Sequence, residues 1–519
     1  VTGAEFSDAF KCGSWDGKST FFNMKSKSFP AGFVYSIQKA LSIKENVSVK
    51  VLKKKLPETL GTALETLDGY KPYDFQTKAV TQLLKYGRCV SMIATGGGKS
   101  VVARLAYQKI KRPTLFLTTR SVLMYQMKEG FERDGRTVGV LGDAEWSPKK
   151  GINVGMVQTL SQRLEKKVVA HEVTRYEKNN LAKEDRDIKT LETRLNKVET
   201  STPEIARQKQ NLRRKFLNNR LSRDEILKQQ TVKVENHNKR REKVIKLMAY
   251  FQFVILEEAH ESGSDSYFEV LKHCTNSFYR LGLTATPFMR ADDEANMRLM
   301  ACAGPVTVQI TEKELIDKQI LATPYFKFVQ TGAPPMLNKS TAWQQAYTLG
   351  IVENQQRNKI ILQEAIRAVK YKLPVMILIQ RKNHGKALEK LLLKQGITAK
   401  FIFGESSKDQ RARSLEELGN GKLQVLIGST ILDVGVDVPS IGMIILAGGG
   451  KAEINTRQRI GRGLRKKKDG PNVAFILDFI DSKNKTLAKH SSERFKIIKG
   501  TPGFNQNIVK KDFDYGIFE

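Results

Sequence analysis

Cys89-Val-Ser-Met-Ile-Ala-Thr-Gly-Gly-Gly-Lys-Ser100 begins as a short, mostly apolar run and ends on three glycines, a lysine and a serine. The first half reads as a strand buried on both faces, and the Val101-Val-Ala-Arg-Leu-Ala106 that follows reads as a helix. A strand turning through glycines into a helix N-terminus is the setting of a phosphate-binding loop. Glycines let backbone N–H groups approach phosphates, Lys99 reaches the β and γ oxygens, and the Ser100 hydroxyl holds Mg²⁺. Thr95, Gly96, Gly97, Gly98, Lys99 and Ser100 are therefore the expected contacts to ATP. The general pattern has a glycine five residues before Gly98, where this chain has Ile93. The competing reading is an accidental glycine turn.

Similar apolar runs recur outward from this one. They are Thr114–Leu117, Phe253–Leu256, Val375–Ile379, Val425–Ile427, Met443–Leu446 and Val473–Leu477, with helical patterns between most of them. Such spacing predicts βαβ units and parallel sheets. The runs fall before about residue 310 and after about residue 370, which predicts an α/β chain with two such domains, at 66–310 and 311–519. Between them, Glu314–Pro324 reads as a short helix that stops before proline and crosses between the domains. Residues 1–65 read as a separate small α+β module without an ATPase motif. The chain begins with Val1 rather than Met, so a few residues are expected to precede it.

Phe253-Val-Ile-Leu-Glu-Glu-Ala-His260 delivers two acids at the C-terminal end of a strand, where α/β sites form. Two adjacent acids suit two tasks: Glu257 to hold Mg²⁺, directly or through water, and Glu258 to polarise the attacking water. Acids after a strand are common on surfaces, so their weight comes from the phosphate loop. Late in the second group lies Gln458-Arg-Ile-Gly-Arg-Gly-Leu-Arg465. A solvated or DNA-contacting basic face is the plain reading. In a two-domain ATPase the γ-phosphate charge also needs a cation from across the cleft. Arg462 and Arg465, three apart on one face, suit that task.

The charge balance sets the partner. The 519 residues carry 88 Lys+Arg against 54 Asp+Glu, a net +34. That excess repels itself unless a polyanion shares the surface, so a nucleic acid is expected rather than a membrane surface; a merely basic soluble protein is the plain alternative. No apolar run approaches the ~20 residues that span a bilayer, and no signal-peptide pattern opens the chain. Cys12, Cys89, Cys274 and Cys302 form no CxxC pair, which fits a reducing cytoplasm and excludes a zinc site or a disulfide framework. Residues 163–247 break the α/β rhythm: one proline, no glycine, and apolar residues at helical spacing from Leu181 to Val198 and from Ile205 to Leu217. Thr200-Ser-Thr-Pro203 supplies an N-cap and a first-turn proline between the halves. The segment reads as an antiparallel helical hairpin projecting as an arm that contacts DNA or a protein, or as a solvated spacer.

With these residues in place the chain resembles the superfamily 2 helicases over roughly 70–495. The fold implied is two RecA-like domains in tandem. The compact Thr-Gly-x-Gly-Lys-Ser loop is the helicase form. Tyr73-Asp-Phe-Gln76 resembles the adenine-reading element, with Phe75 and Gln76 at the nucleotide. Leu283-Thr-Ala-Thr-Pro287 resembles motif III, which couples hydrolysis to motion through Thr284, Thr286 and His260. Thr118-Thr-Arg-Ser121 with Gln126, and Gln158-Thr-Leu160, resemble motifs Ia and Ib, implying DNA contacts by Thr119, Arg120, Gln126, Gln158 and Thr159. Gln380-Arg-Lys-Asn-His384 occupies the motif IV position, implying Arg381 on DNA. Gly428-Ser-Thr430 with Asp433-Val-Gly-Val-Asp437 resembles motif V, implying Ser429 and Thr430 on DNA and Gly435 and Asp437 at the nucleotide. Motif VI adds Gln458 to the catalytic set.

Within the superfamily, the Gln-led motif VI, the Thr-Ala-Thr motif III and the tail Asp478-Phe-Ile-Asp481 with His490–Arg494 resemble phage UvsW-type recombination helicases. Gly13-Ser-Trp-Asp-Gly17 and Phe29-Pro-Ala-Gly-Phe33 are similar to that family's small DNA-binding module, implying Trp15 on DNA; a hairpin turn with a packed Trp15 is the alternative. The resemblance implies remodelling of forks, Holliday junctions, D-loops and R-loops in recombination, replication and repair. The alternative is the motor subunit of a restriction, nuclease or excision-repair assembly. The chain departs from the family in carrying Glu257 where Asp is usual and in the 163–247 insertion.

Overall fold

The computed structural model describes the chain apart from residues 1–3, 15, 45–46, 53–54, 63–65, 289–292, 404–405, 429–440, 451–459, 462–463, 468–470, 511–512 and 519. Within 182–222 it describes residues 183, 186, 189, 190, 193, 207, 210, 211 and 214. Two sheets organise the described residues. The first contains β1 (Arg88–Ile93), β2 (Thr114–Thr118), β3 (Val138–Gly142), β4 (Glu145–Ser147), β5 (Ile152–Met156), β6 (Phe253–Glu257), β7 (Tyr279–Thr284) and β8 (Val306–Ile310). Their order is β4-β3-β5-β2-β6-β7-β1-β8. Only the β3–β4 pair is antiparallel. Every residue of β2, β3 and β7 is buried, as parallel strands covered by helices on both faces must be.

The second sheet contains β9 (Thr323–Gln330), β10 (Val375–Leu378), β11 (Ala399–Ile402), β12 (Val425–Gly428), β13 (Met443–Ile445), β14 (Val473–Ile480) and β15 (Ile508–Val509). All its pairings are parallel, in the order β11-β12-β10-β13-β14-β9-β15. The chain is thus two parallel-sheet α/β domains in tandem. Behind the second sheet, Arg494 donates to both oxygens of Asp478, and Arg357 donates to Asp481 while lying 4.1 Å over the Phe479 ring. Removing one partner from a buried pair of this kind costs about 3–5 kcal/mol, which gives the Asp478–Asp481 and Arg494 tail a structural role.

The connection between the sheets starts with a helix at Glu312–Asp317, opened by a reciprocal Thr311–Glu314 cap. This helix stops at Asp317, well before Pro324, because Gln319 takes a left-handed turn (φ 55°) and Pro324 already lies in β9. An apolar cluster continues across this connection, from Ile93 and Leu283 through Leu315, Ile320, Leu321 and Ala322 to Ile460, Leu464 and Ile476.

Residues 1–65 lie on the first domain. Tyr279 Oη donates to Pro57 O, Leu60 N donates to Ile110 O, and the Tyr35 ring meets Tyr86 edge-on at 5.0 Å. Their strand pairing among the described residues is limited to the bridge between Asn23 and Ser28. The arm emerges as two helices, Val169–Tyr176 and Arg223–Tyr250. The second has 28 residues and therefore runs about 42 Å. The Thr200–Pro203 turn expected between them lies outside the described residues. No helix among the described residues is long and apolar enough to cross a membrane.

Candidate active site

After β1 the chain turns through Gly96 and Gly98 (φ +90° and +79°) into the helix Lys99–Ile110. A Cβ on Gly98 would stand 2.5 Å from Gln76 Nε2, and one on Gly96 2.6 Å from Leu321 Cδ2. Both positions need glycine for their positive φ, and a Cβ at either would push aside the end of Gln76 or of Leu321. The N–H groups of the first helical turn have no intrahelical acceptor, and the helix dipole favours an anion there.

The segment Tyr73–Gln76, which resembles an adenine-reading element, is tied to this loop. Buried Gln76 donates from Nε2 to Gly97 O at 3.1 Å and accepts at Oε1 from Tyr73 N at 3.0 Å. Phe75 is buried too, stacked at 5.6 Å on Tyr73, whose ring stays exposed.

Strand β6 ends at Glu257, whose Oε2 is enclosed without a hydrogen-bond partner. Burial pushes this carboxyl up to about 8; the Lys99 charge opposes the rise and Glu258 adds to it. An enclosed, unsatisfied carboxylate oxygen beside a phosphate loop is the donor that a divalent cation needs. With Ser100 nearby on the cleft wall, these residues fit Mg²⁺. Glu258 takes the left-handed conformation (φ 46°, ψ 54°), at about 1–2 kcal/mol for a non-glycine residue. That turn sets its carboxylate 3.4 Å from His260 Nδ1. His260 Nδ1 is also 3.0 Å from Thr284 Oγ1, which accepts from Thr286 N at 3.1 Å. All three are buried.

A further acid, Glu261, was not anticipated. It accepts from the Thr119 hydroxyl and lies 3.7 Å from Arg120 Nη2, while Gln158 Nε2 donates to Thr119 O. Of the expected DNA contacts, Thr119 and Arg120 thus meet a residue three positions after Glu258, and Gln158 joins them through the Thr119 carbonyl. Thr159 follows Gln158 on the helix Val157–Leu164. Gln126 lines the cavity that also holds Lys99 and Glu258.

The second domain closes the cleft. Gly461 packs so near the loop that a Cβ there would stand 2.8 Å from Thr95 Cβ. Arg465 pairs through its backbone with Leu321, and burial lowers its guanidinium pKa from the ordinary value. Thr95, Lys99, Glu257, Glu258, Gly461 and Arg465 all face one cavity of about 1010 Å³. Arg381 is exposed beyond β10, 5.6 Å over the Tyr347 ring. Trp15, Ser429, Thr430, Gly435, Asp437, Gln458 and Arg462 lie outside the described residues.

Two family models match this chain: the helicase conserved C-terminal domain over residues 356–467, and the res subunit of type III restriction enzymes over residues 69–289. The chain is 25% identical to the DNA 3'-5' translocase XPB2 of Sulfurisphaera tokodaii, over 42% of this chain and 56% of that protein. It is 23% identical to the ATP-dependent DNA helicase uvsW of Enterobacteria phage T4, over 45% of this chain and 46% of that protein. The chain thus spans about half the length of these curated relatives. The crystal structure of T4 UvsW aligns with 95% of this chain and 90% of its own, at 17% identity and a TM-score of 0.38.

Proposed function

We propose that this chain, which belongs to the superfamily 2 helicases, hydrolyses ATP to move on DNA and remodels branched DNA. The observation that carries the reading is the single cleft facing Lys99 and Glu258 from one domain and Arg465 from the other. A site completed across two domains makes phosphate charge report on their separation. That is what converts hydrolysis into movement.

In this reading residues 66–310 and 311–519 are the motor domains, and residues 1–65 are a DNA-binding module. The phosphates lie at the N-terminus of the helix Lys99–Ile110, with Lys99 on the β and γ oxygens. Glu258 orients the attacking water and accepts its proton, held in aim by its left-handed backbone and by His260. Arg465 stabilises charge on the transferring group. Ser100 and Glu257 hold Mg²⁺, which when bound neutralises phosphate charge. Glu261 links this centre to Thr119, Arg120 and Gln158, so a strand on those residues bears on the water-positioning turn. The substrates proposed are forks, Holliday junctions, D-loops and R-loops, in a cytoplasm that is the host's if a phage encodes the chain.

The res-subunit match over residues 69–289 favours a second reading, a motor within a restriction or nuclease assembly. A helicase assay of the purified chain on forks, junctions and plain duplexes separates the two. Unwinding of branched substrates by the chain alone supports the first. ATP hydrolysis on DNA without any remodelling supports the second.

A further inference from the structure

The helix Val157–Leu164 carries Gln158 near its start and ends at the root of the arm. There a second cavity of about 560 Å³ opens between this helix and the two arm helices. Its cationic walls come from Arg163, Lys167, Arg175 and Arg240, and Glu165 is the carboxylate that lines it. Carbonyls at the end of the helix have partners elsewhere, and Glu165 N donates to Ser161 O. Arg241 Nε donates to Leu164 O at 2.7 Å, and His237 Nε2 lies 2.8 Å from Glu165 O. The negative end of the helix is thereby masked from the cavity.

Arg163 is held rigidly, its guanidinium 4.0 Å over the Trp146 ring. Burial and the neighbouring Arg240 charge both lower its pKa from the ordinary value. Nearby, Glu172 is shared between Lys167 at 3.3 Å and Arg175 at 3.8 Å. Four cations therefore meet two carboxylates, and no further acid among the described residues lines the cavity. Like charges crowded in one concavity favour an anion.

From Gln158 to Arg163 the helix rises about 7.5 Å, close to two nucleotide steps of ~3.4 Å each measured along a duplex axis. We infer that this cavity is a phosphate-binding site that receives the nucleic-acid backbone as it leaves Thr119, Arg120 and Gln158, so that the arm root extends the DNA track. The inference rests on the proposed function as a DNA motor. An acidic protein surface is the competing occupant.

The test uses the full chain with two opposed variants at exposed positions. Arg175→Gln with Arg240→Gln removes two phosphate partners, and Glu165→Lys adds one. Affinity is measured from 50 to 200 mM salt on a duplex and, separately, on a single strand. The double variant is expected to flatten the log–log salt slope on duplex by about 1.8, so its deficit shrinks about tenfold over that range; Glu165→Lys is expected to steepen it by about 0.9. A change confined to one probe identifies which form of DNA lies in the cavity. Wild-type slopes in both variants overturn the site while leaving the motor intact, and point to the protein occupant. Failure of the wild-type chain to bind either probe overturns the motor reading and the site together. If the double variant loses its cooperative melting transition, Glu165→Lys decides alone.

Discussion

His260 Nδ1 lies 3.0 Å from the Thr284 hydroxyl, so one buried side-chain hydrogen bond joins the acid-bearing turn after β6 to the end of β7. Thr284→Val keeps the shape and removes this bond, together with the acceptor of Thr286 N. DNA-stimulated hydrolysis is expected to persist while base pairs separated per ATP fall about tenfold. Parallel loss of both activities would mean that the pair serves folding instead.

Lys99→Ala is expected to abolish ATP hydrolysis and leave DNA binding largely intact, since Lys99 faces the nucleotide cleft. ATPase assays with and without DNA, beside a binding titration, check it. Near-wild-type turnover would remove the phosphate-loop assignment.

Glu258→Gln keeps ATP binding and is expected to slow hydrolysis by ~10²-fold or more. Glu257→Gln is the paired measurement. If that variant stops turnover while Glu258→Gln remains active, the two acids exchange roles.

DNA affinity is expected to fall steeply with salt. Neutralising ~6 phosphates gives a log–log slope near −5 on duplex. A slope close to zero between low and physiological salt rejects the electrostatic account of the +34 charge.

His384 is fully buried, with Nε2 at 2.9 Å from Asn358 Oδ1; burial first, then the Arg357 charge, lower its pKa from 6.5 to about 4. The unfolded chain then binds the extra proton between those values. The contribution is present above pH 6.5 and is lost as pH falls towards 4, by about 3 kcal/mol in all. Denaturant melts of wild type and His384→Gln across that range check it; identical pH dependence contradicts it.

What the sequence made legible follows from burial. Strands β1, β2, β6, β10, β12, β13 and β14 are apolar because helices cover both their faces, and their runs stand out. Strand β9 did not, since it carries Lys327, whose Nζ is buried against Glu364 at 2.9 Å, and alternation hides the run. Lys99, Glu257 and Glu258 stand out in the sequence because a glycine turn carries Lys99 beyond the apolar run of β1, and the two acids sit at and just after the end of β6. Glu261 does not: its meaning comes from meeting Thr119 and Arg120, some 140 residues earlier. Leu321 was equally silent, an ordinary apolar residue until the fold sets it against Gly96.

The apolar cluster crossing from Ile93 through Leu315, Ile320 and Leu321 to Ile460 and Leu464 makes the joint between the domains a hydrocarbon one. Parting the domains wets that surface, and closing them dries it again. Closure on nucleotide therefore carries a negative heat capacity change. Because apolar burial weakens on cooling, the closed state loses ground in the cold before either domain melts. Under the proposed function, opening at this joint is thus expected to become easier on cooling.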